Sequence, residues 1–369
     1  MNFDFTEDQA SLRDAVQRWV EKGFSFDRRH GLAKAGGATR AVYAELAELG
    51  LAGLAVPEAH GGMNFGPVEA MVVMEELGRG LVNAPYTEAA LVAPALLSAA
   101  PEALQAEWLP RIADGSALVV PALQERRSRY RLDDVQATAT QAGEGWTVSG
   151  AKSVVAAGDE ADAFVVSARH AGGIGLFLVD KAAAQVRGYP TQDGARAAEV
   201  TFDNAAAALV AQDGLPALMH ATDVGIAAVC AEAVGLMDRL LAITVEYMNQ
   251  RKQFGVTIAT FQALRHRVAD VKMQVELGRS MSYYATLKLG EPQEQRRRAL
   301  SQAKVQLGHS MRFVGQQCVQ LHGGIGVTDE YVASHYFKRL TMLEMAYGDT
   351  MHHLGEVSAR MQDTAGVFA

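Results

Sequence analysis

Cysteine is nearly absent: Cys230 and Cys318 are the only two in 369 residues. Neither has the paired spacing of a metal site. Both fall inside helical patterns, which fits buried free thiols in a reducing compartment. Long apolar runs are missing too. Leu91 to Ala100 contains Pro94 and is far shorter than the ~18 residues of a membrane span. The amino terminus, Met1-Asn2-Phe3-Asp4-Phe5-Thr6-Glu7-Asp8, is acidic and has no basic-then-apolar leader. Basic charge is scarce: the formal net charge is -8, whereas nucleic-acid binding needs a dense basic face. The densest basic run, Arg296-Arg297-Arg298, follows the polar stretch Glu291-Pro292-Gln293-Glu294-Gln295 and reads as a solvated loop and helix start rather than a phosphate site. These absences point to a soluble, cytoplasmic protein with no metal, no nucleic-acid partner and no membrane span.

What is present is the composition of an ordinary globular protein, 49% hydrophobic and 21% charged, in a chain too long for one core, so two or three domains are expected. Residues 1–118 carry helical periodicity. Thr6 is placed to cap a first helix on which Leu12, Val16 and Val20 share a face. Pro57 and Gly61-Gly62 mark a loop before another helix that ends near Gly78. Residues 119–214 change character. Trp146–Gly150, Ala163–Val166, Gly175–Val179 and Glu199–Asp203 are short apolar runs with glycine-containing turns, which predicts a β domain of sandwich or barrel type. Residues 215–369 return to the helical period in three stripes: Val229, Ala233, Leu236, Leu240, Ile243 and Tyr247; then Phe261, Leu264, Val268, Val271 and Val275; then Leu300, Ala303, Leu307, Met311, Val314, Cys318 and Leu321. Three such helices in sequence predict a bundle.

Two segments carry chemistry. In Arg251-Lys252-Gln253-Phe254-Gly255, followed by Phe261-Gln262, a guanidinium able to fork onto a pyrophosphate lies beside an apolar ring. In Gln320-Leu321-His322-Gly323-Gly324-Ile325-Gly326, paired glycines let the backbone approach a ligand closely. Each alone reads more readily as a surface ion pair or a mere turn. Together with Pro57-Glu58-Ala59-His60-Gly61-Gly62, Gly150-Ala151-Lys152 and the helix–strand–helix order, the set resembles the acyl-CoA dehydrogenases over essentially the whole chain. Phe337–Met342 and Tyr189–Gly194 resemble one heteromeric branch, the small subunits of pimeloyl-CoA dehydrogenases.

The resemblance implies an α+β multidomain fold: an N-terminal α-helical domain, a central β-barrel or sandwich domain and a C-terminal four-helix bundle. It implies oxidation of an acyl-CoA to a 2-enoyl-CoA by FAD, with the cofactor stretched across a subunit boundary. Its adenosine-diphosphate end would rest on Arg251, Gln253, Phe254, Gln320, Gly323 and Gly324. The partners implied are an acyl-CoA substrate and either a second acyl-CoA dehydrogenase subunit or self-association, with an electron-transfer flavoprotein as a candidate electron acceptor.

Against that pattern the chain lacks a base. The family's tyrosine-glutamate-glycine-threonine run stands here as Ala346-Tyr347-Gly348-Asp349. Counted from Gly323 and Gly324, the glutamate that removes the α-proton falls on Tyr347. The alternative position used by some relatives falls on Gly225. The flavin-ring contacts depart as well. A threonine-glutamate-proline-glycine-type loop aligns with Gln124-Glu125-Arg126-Arg127, and a tryptophan-isoleucine-threonine run with Val154-Val155-Ala156. The catalytic base is therefore unknown from sequence. The weak candidates are Asp349, set on a helix and turned away from Tyr347; Glu232, inside the long helix; and Asp223, placed ahead of that helix as a cap. His352 and His353 read as solvated surface. Three readings stand: a base-lacking subunit of a heteromeric dehydrogenase, a self-sufficient homomer using an unusual carboxylate, and a scaffold or CoA-ester-binding subunit without turnover.

Overall fold

The computed structural model describes residues 4–143 and 145–361; Met1–Phe3 of the acidic terminus lie outside the described residues. Helices come first: α1 (Glu7–Gly23), α2 (Phe26–Lys34), α3 (Arg40–Glu48), α4 (Pro67–Arg79), α5 (Ala93–Leu97) and α6 (Glu102–Ala113). Strands follow: β1 (Val119–Ala122), β2 (Thr138–Ala142), β3 (Gly145–Ala156), β4 (Ala163–His170), β5 (Gly173–Asp180), β6 (Ala184–Pro190) and β7 (Arg196–Ala211). Then come α7 (Leu215–Gln250), a small hairpin of β8 (Lys252–Gln253) and β9 (Val256–Thr257), α8 (Gln262–Lys288), α9 (Gln293–His322), α10 (Val332–Met345) and α11 (Thr350–Met361). The chain divides into two compact units: residues up to 29 with 67–82 and 226 onward, and residues 30–66 with 83–225. Among the described residues no helix is long and apolar enough to cross a membrane.

The second unit holds the β domain. β4 pairs with β2, β2 with β3, β3 with β7, β7 with β5, and β5 returns to β4, so the sheet closes on itself as a barrel. Closure removes the free edges an open sheet would leave. β1 adds to β4 in parallel and β6 lines β7. Alternation places Val148, Val200 and Phe202 inward, where Phe202 meets Phe164 edge to face at 6.1 Å.

The first unit is helical. Thr6 caps α1 through a reciprocal box with Gln9, as its position in the sequence predicts. On α9 the whole apolar stripe from Leu300 to Leu321 is buried. α8 and α9 are joined by residues 289–292 alone and pack side by side. A Cβ added at Gly78 would strike the Glu232 carbonyl, and one at Gly235 the Glu75 carbonyl, so glycine is what lets α4 and α7 touch backbone to backbone.

Two sequence expectations are corrected. The run Arg296–Arg298 lies early in α9, so the expected helix start holds and the solvated loop does not. Arg296 is buried, its guanidinium donating to the Glu291 carbonyl at 3.2 Å. Asp223 does not precede the long helix, because α7 starts at Leu215 with Pro216 in its first turn, where a missing N–H costs nothing. Asp223 is a buried residue of the helix interior.

Candidate flavin site

The nucleotide motif is built at one end of the helical unit. α7 ends at Gln250, and the chain turns at once through the β8–β9 hairpin. The two residues that close it, Phe254 and Gly255, have φ of 53° and 78°. A two-residue loop with both residues left-handed matches the twist of its strands; Gly255 adopts it freely and Phe254 at some cost. The geometry leaves Phe254 92% exposed at the tip. The hairpin is seated by Ile258, which packs with Met248, Leu321 and Phe261. The Ile258 N–H also donates to the Arg251 carbonyl at 2.9 Å.

The second motif meets the first there. α9 ends at His322, whose ring lies 4.7 Å from that of Tyr247, and Gly323 follows with a φ of 65°. His322 donates from Nδ1 to the Cys318 carbonyl at 2.8 Å, and burial lowers its pKa, so the ring is neutral. Its Nε2 is buried without a hydrogen-bond partner among the described residues. The structure thus brings together Arg251, Gln253, Phe254, Gln320, Gly323 and Gly324, and leaves all six exposed. Arg251 forms no ion pair among the described residues. Added Cβ atoms at Gly323 and Gly324 would meet nothing within 4 Å. The protein's own packing therefore does not require glycine there, and the open backbone, unmatched guanidinium and bare aromatic face suit the pyrophosphate and adenosine of FAD.

The turn that carries position 347 is tightly held. Tyr347 and Gly348, between α10 and α11, have φ of 57° and 115°, so no helix runs through Asp349. Lys304 of α9 is buried, and its ammonium donates to the carbonyls of Leu343 at 3.0 Å, Glu344 at 2.7 Å and Gly348 at 2.8 Å. Burial pulls its pKa down to about 8. Glu344 accepts from the Thr350 N–H at 2.9 Å and hydroxyl at 2.6 Å. His353 is buried, not solvated: its Nε2 donates to the Tyr347 carbonyl at 3.1 Å, and its Nδ1 faces the Ser301 hydroxyl at 3.2 Å. His352 is half-buried beside it. Lys304 was a missed signal, since it lies four residues after Leu300 on the buried face of α9, where an unmatched lysine has to serve carbonyls.

Two of the three candidate carboxylates have visible partners. Glu232 is forked by Arg339 at 2.6 and 2.9 Å, a closed bidentate pair. Asp349 accepts the His352 N–H at 2.8 Å as the cap of α11. Asp223 is buried in α7, and Gly225 has no side chain. Where the resemblance places the family base stands a phenol, which ordinarily titrates near ~10 and is a poor base at neutral pH.

The ring-end segments lie in the β-containing unit. Lys152, wholly buried, donates to Glu125 at 2.7 Å and Ser167 at 3.1 Å. Glu125 also accepts the Gln136 and Ala137 N–H groups at 2.7 and 3.0 Å. Burial alone would raise its pKa, but the Lys152 ammonium and these donors outweigh it and hold the carboxyl below its usual range. The Ser153 N–H donates to the Gln124 carbonyl at 2.9 Å, so the two segments are fastened together. Val154 sits in a bulge of β3 with a φ of 54°, half exposed. A pocket of about 880 Å³ beside it is lined by Arg126, Arg127, Arg187, Ser153 and Glu199, with neither an indole face nor a threonine hydroxyl in the aligned run.

A closed β domain between helical segments, with a dinucleotide motif at the end of a helical unit, defines a flavin-dependent oxidoreductase. The family descriptions "Acyl-CoA dehydrogenase, N-terminal domain", "middle domain" and "C-terminal domain" match residues 6–116, 122–205 and 212–362. The chain belongs to the acyl-CoA dehydrogenase family, FAD-dependent enzymes acting on CH–CH bonds. It is 28% identical to the long-chain specific acyl-CoA dehydrogenase of Sus scrofa, over 96% of this chain and 86% of that one. Among solved structures it is similar to the "Tcur3481-Tcur3483 steroid ACAD" (27% identity, TM-score 0.89, 97% and 99% of the chains). It is also similar to the ChsE4-ChsE5 complex from Mycobacterium tuberculosis (25% identity, TM-score 0.87, 99% and 100%).

Proposed function

We propose that this chain is the nucleotide-holding, base-lacking subunit of a heteromeric acyl-CoA dehydrogenase, acting with a second, complete subunit of the same family. The observation that carries the reading is the turn at Tyr347: Lys304 and His353 hold its backbone, yet it displays a phenol, while Glu232 is paired with Arg339 and Asp349 caps α11. When bound, FAD takes up the β-hydrogen of the acyl group as hydride. In this reading Arg251 neutralises the pyrophosphate, Gln253 and Gln320 hydrogen-bond to it, and Gly323 and Gly324 let it approach. Phe254 covers an apolar face of the cofactor. Removal of the α-proton, which needs an ionised group within hydrogen-bond reach, falls to a carboxylate of the partner.

The paired names in the Tcur3481-Tcur3483 and ChsE4-ChsE5 structures support a two-component assembly. The small-subunit resemblance favours a dicarboxylyl-CoA such as pimeloyl-CoA, and the steroid assembly a steroid-derived acyl-CoA. An electron-transfer flavoprotein would then reoxidise the flavin. The test is the flavin spectrum and its anaerobic bleaching by acyl-CoA, for the chain alone and for the chain co-expressed with a complete family subunit. Bleaching only by the pair is expected. Bleaching by the lone chain would favour the self-sufficient homomer, and a pair that holds no flavin would favour the non-catalytic scaffold.

A further inference from the structure

A cleft of about 500 Å³ opens in the helical unit, between α1, the turn after it, the end of α4, the middle of α7 and the start of α10. None of the flavin-motif residues lines it. Its walls are of two kinds: Val20, Phe24 and Ile243 make an apolar side, and Arg29, Arg79 and Arg239 a cationic one.

The three guanidinium groups are not equivalent. Arg79 is matched, bonding Asp238 at 2.5 Å and lying 3.3 Å from Glu76. Arg29 is 3% exposed and donates to Nδ1 of His335 at 2.7 Å. Arg239 is exposed and forms no ion pair among the described residues. Tyr336, also on the wall, donates its proton to the Arg79 carbonyl at 2.6 Å and leaves the guanidinium N–H groups of Arg239 to a ligand. Besides Glu76, the one lining acid is Glu21, an exposed residue whose carboxylate already accepts from Gln17 at 2.9 Å. Val332, the first residue of α10, also lines the cleft, and no side chain caps that helix N-terminus, so its partial positive charge adds to the arginines.

Size, an apolar wall and a few convergent cations are the features of a small-molecule site. A multiply charged anion would leave charge against Val20, Phe24 and Ile243, and a neutral hydrocarbon would leave Arg239 unanswered. We propose that this cleft binds a monoanionic amphipathic carboxylate, with the carboxylate on Arg239 and its hydrocarbon chain against Val20, Phe24 and Ile243. A guanidinium and a carboxylate meet in a planar fork, and each methylene placed on the apolar wall adds to the affinity.

Isothermal titration of the FAD-loaded protein with sodium octanoate tests this, with octanol as the control lacking charge and acetate as the control lacking a tail. Saturable octanoate binding is expected, with neither control competing for it. Arg239→Gln should weaken binding roughly tenfold or more, the loss of a charge-assisted hydrogen bond. Ile243→Trp should block the cleft, while flavin absorbance stays unchanged in both variants. No saturable binding up to about 10 mM would overturn the proposal. So would octanoate binding that both variants leave intact, since it would then lie elsewhere. Binding in a preparation that holds no flavin would still support the cleft and would count against the flavin assignments instead.

Discussion

His353 is enclosed between Ser301 and the Tyr347 carbonyl, and burial, reinforced by the Lys304 ammonium, lowers its pKa to about 3. In the unfolded chain an imidazole titrates near ~6.5. Between that value and about 3 the unfolded state binds a proton that the folded state does not. Stability therefore falls as pH drops below ~6.5, by up to about 1.4 kcal/mol per pH unit from this group, and is indifferent to it above. His353→Gln keeps a donor and an acceptor but removes the titration. Urea unfolding of both proteins from pH 4 to pH 8 should show the variant losing less stability on acidification, with a constant gap above pH 7. Parallel profiles across the whole range would mean that His353 is not held neutral. The same histidine fixes the backbone of residue 347, so acid strain should be felt first at that turn.

Val154 is where one element breaks its own rules. A β-branched residue at a φ of 54° sits in the bulge of β3, between the pairs made by Lys152 and Val155. The left-handed region costs a non-glycine residue about 1–2 kcal/mol, and glycine returns about 0.5–1 kcal/mol of that as extra unfolded-state entropy. Val154→Gly should therefore raise unfolding stability, by up to about 1 kcal/mol, read from the denaturant midpoint at constant slope. A loss of stability would mean that the side chain packs usefully despite its exposure. Nothing in Lys152-Ser153-Val154-Val155 announces this bulge, because the residue types all suit a plain strand. The long helices were legible for the opposite reason. On α9 every apolar residue of the stripe from Leu300 to Leu321 repeats at the helical period and is buried. The start of α7 was not, because Asp223 looks like a cap, and only the burial of Leu218 and Ala221 before it shows that the helix is already under way. The flavin motifs were readable as residue types, but their exposure was not, since periodicity says nothing about glycines with empty space above them. Asp349, expected on a helix, instead caps α11, because the left-handed pair Tyr347 and Gly348 takes the chain out of a helix, and a bulky residue in an unfavoured conformation hides that pair in the sequence.

On the scale of the molecule, several large apolar side chains of the described residues are open to solvent. Phe254, Val327 and Met351 are largely exposed, and Met273, Leu277, Tyr284 and Leu287 recur along α8 at helical spacing with much of their surface open. Surfaces of this kind belong to assemblies. In the proposed reading the catalytic deficit is also spread over the molecule. The base position lies in the helical unit and the ring-contact segments in the β-containing unit, so a single substitution mends only one of them. Tyr347→Glu puts a carboxylate on a turn that Lys304 and His353 already hold, and the protein should fold and keep its affinity for FAD. Val154-Val155-Ala156 still lacks an indole face and a threonine hydroxyl, so the isolated variant should show no acyl-CoA-dependent reduction of an electron-accepting dye above the wild-type chain. Paired with a complete subunit it should behave as the wild type does, because the working base in that assembly belongs to the partner. Substantial turnover by the isolated Tyr347→Glu chain would show that only the carboxylate was missing. The protein would then be a homomeric dehydrogenase one substitution away from activity, and the division of labour proposed here would be wrong.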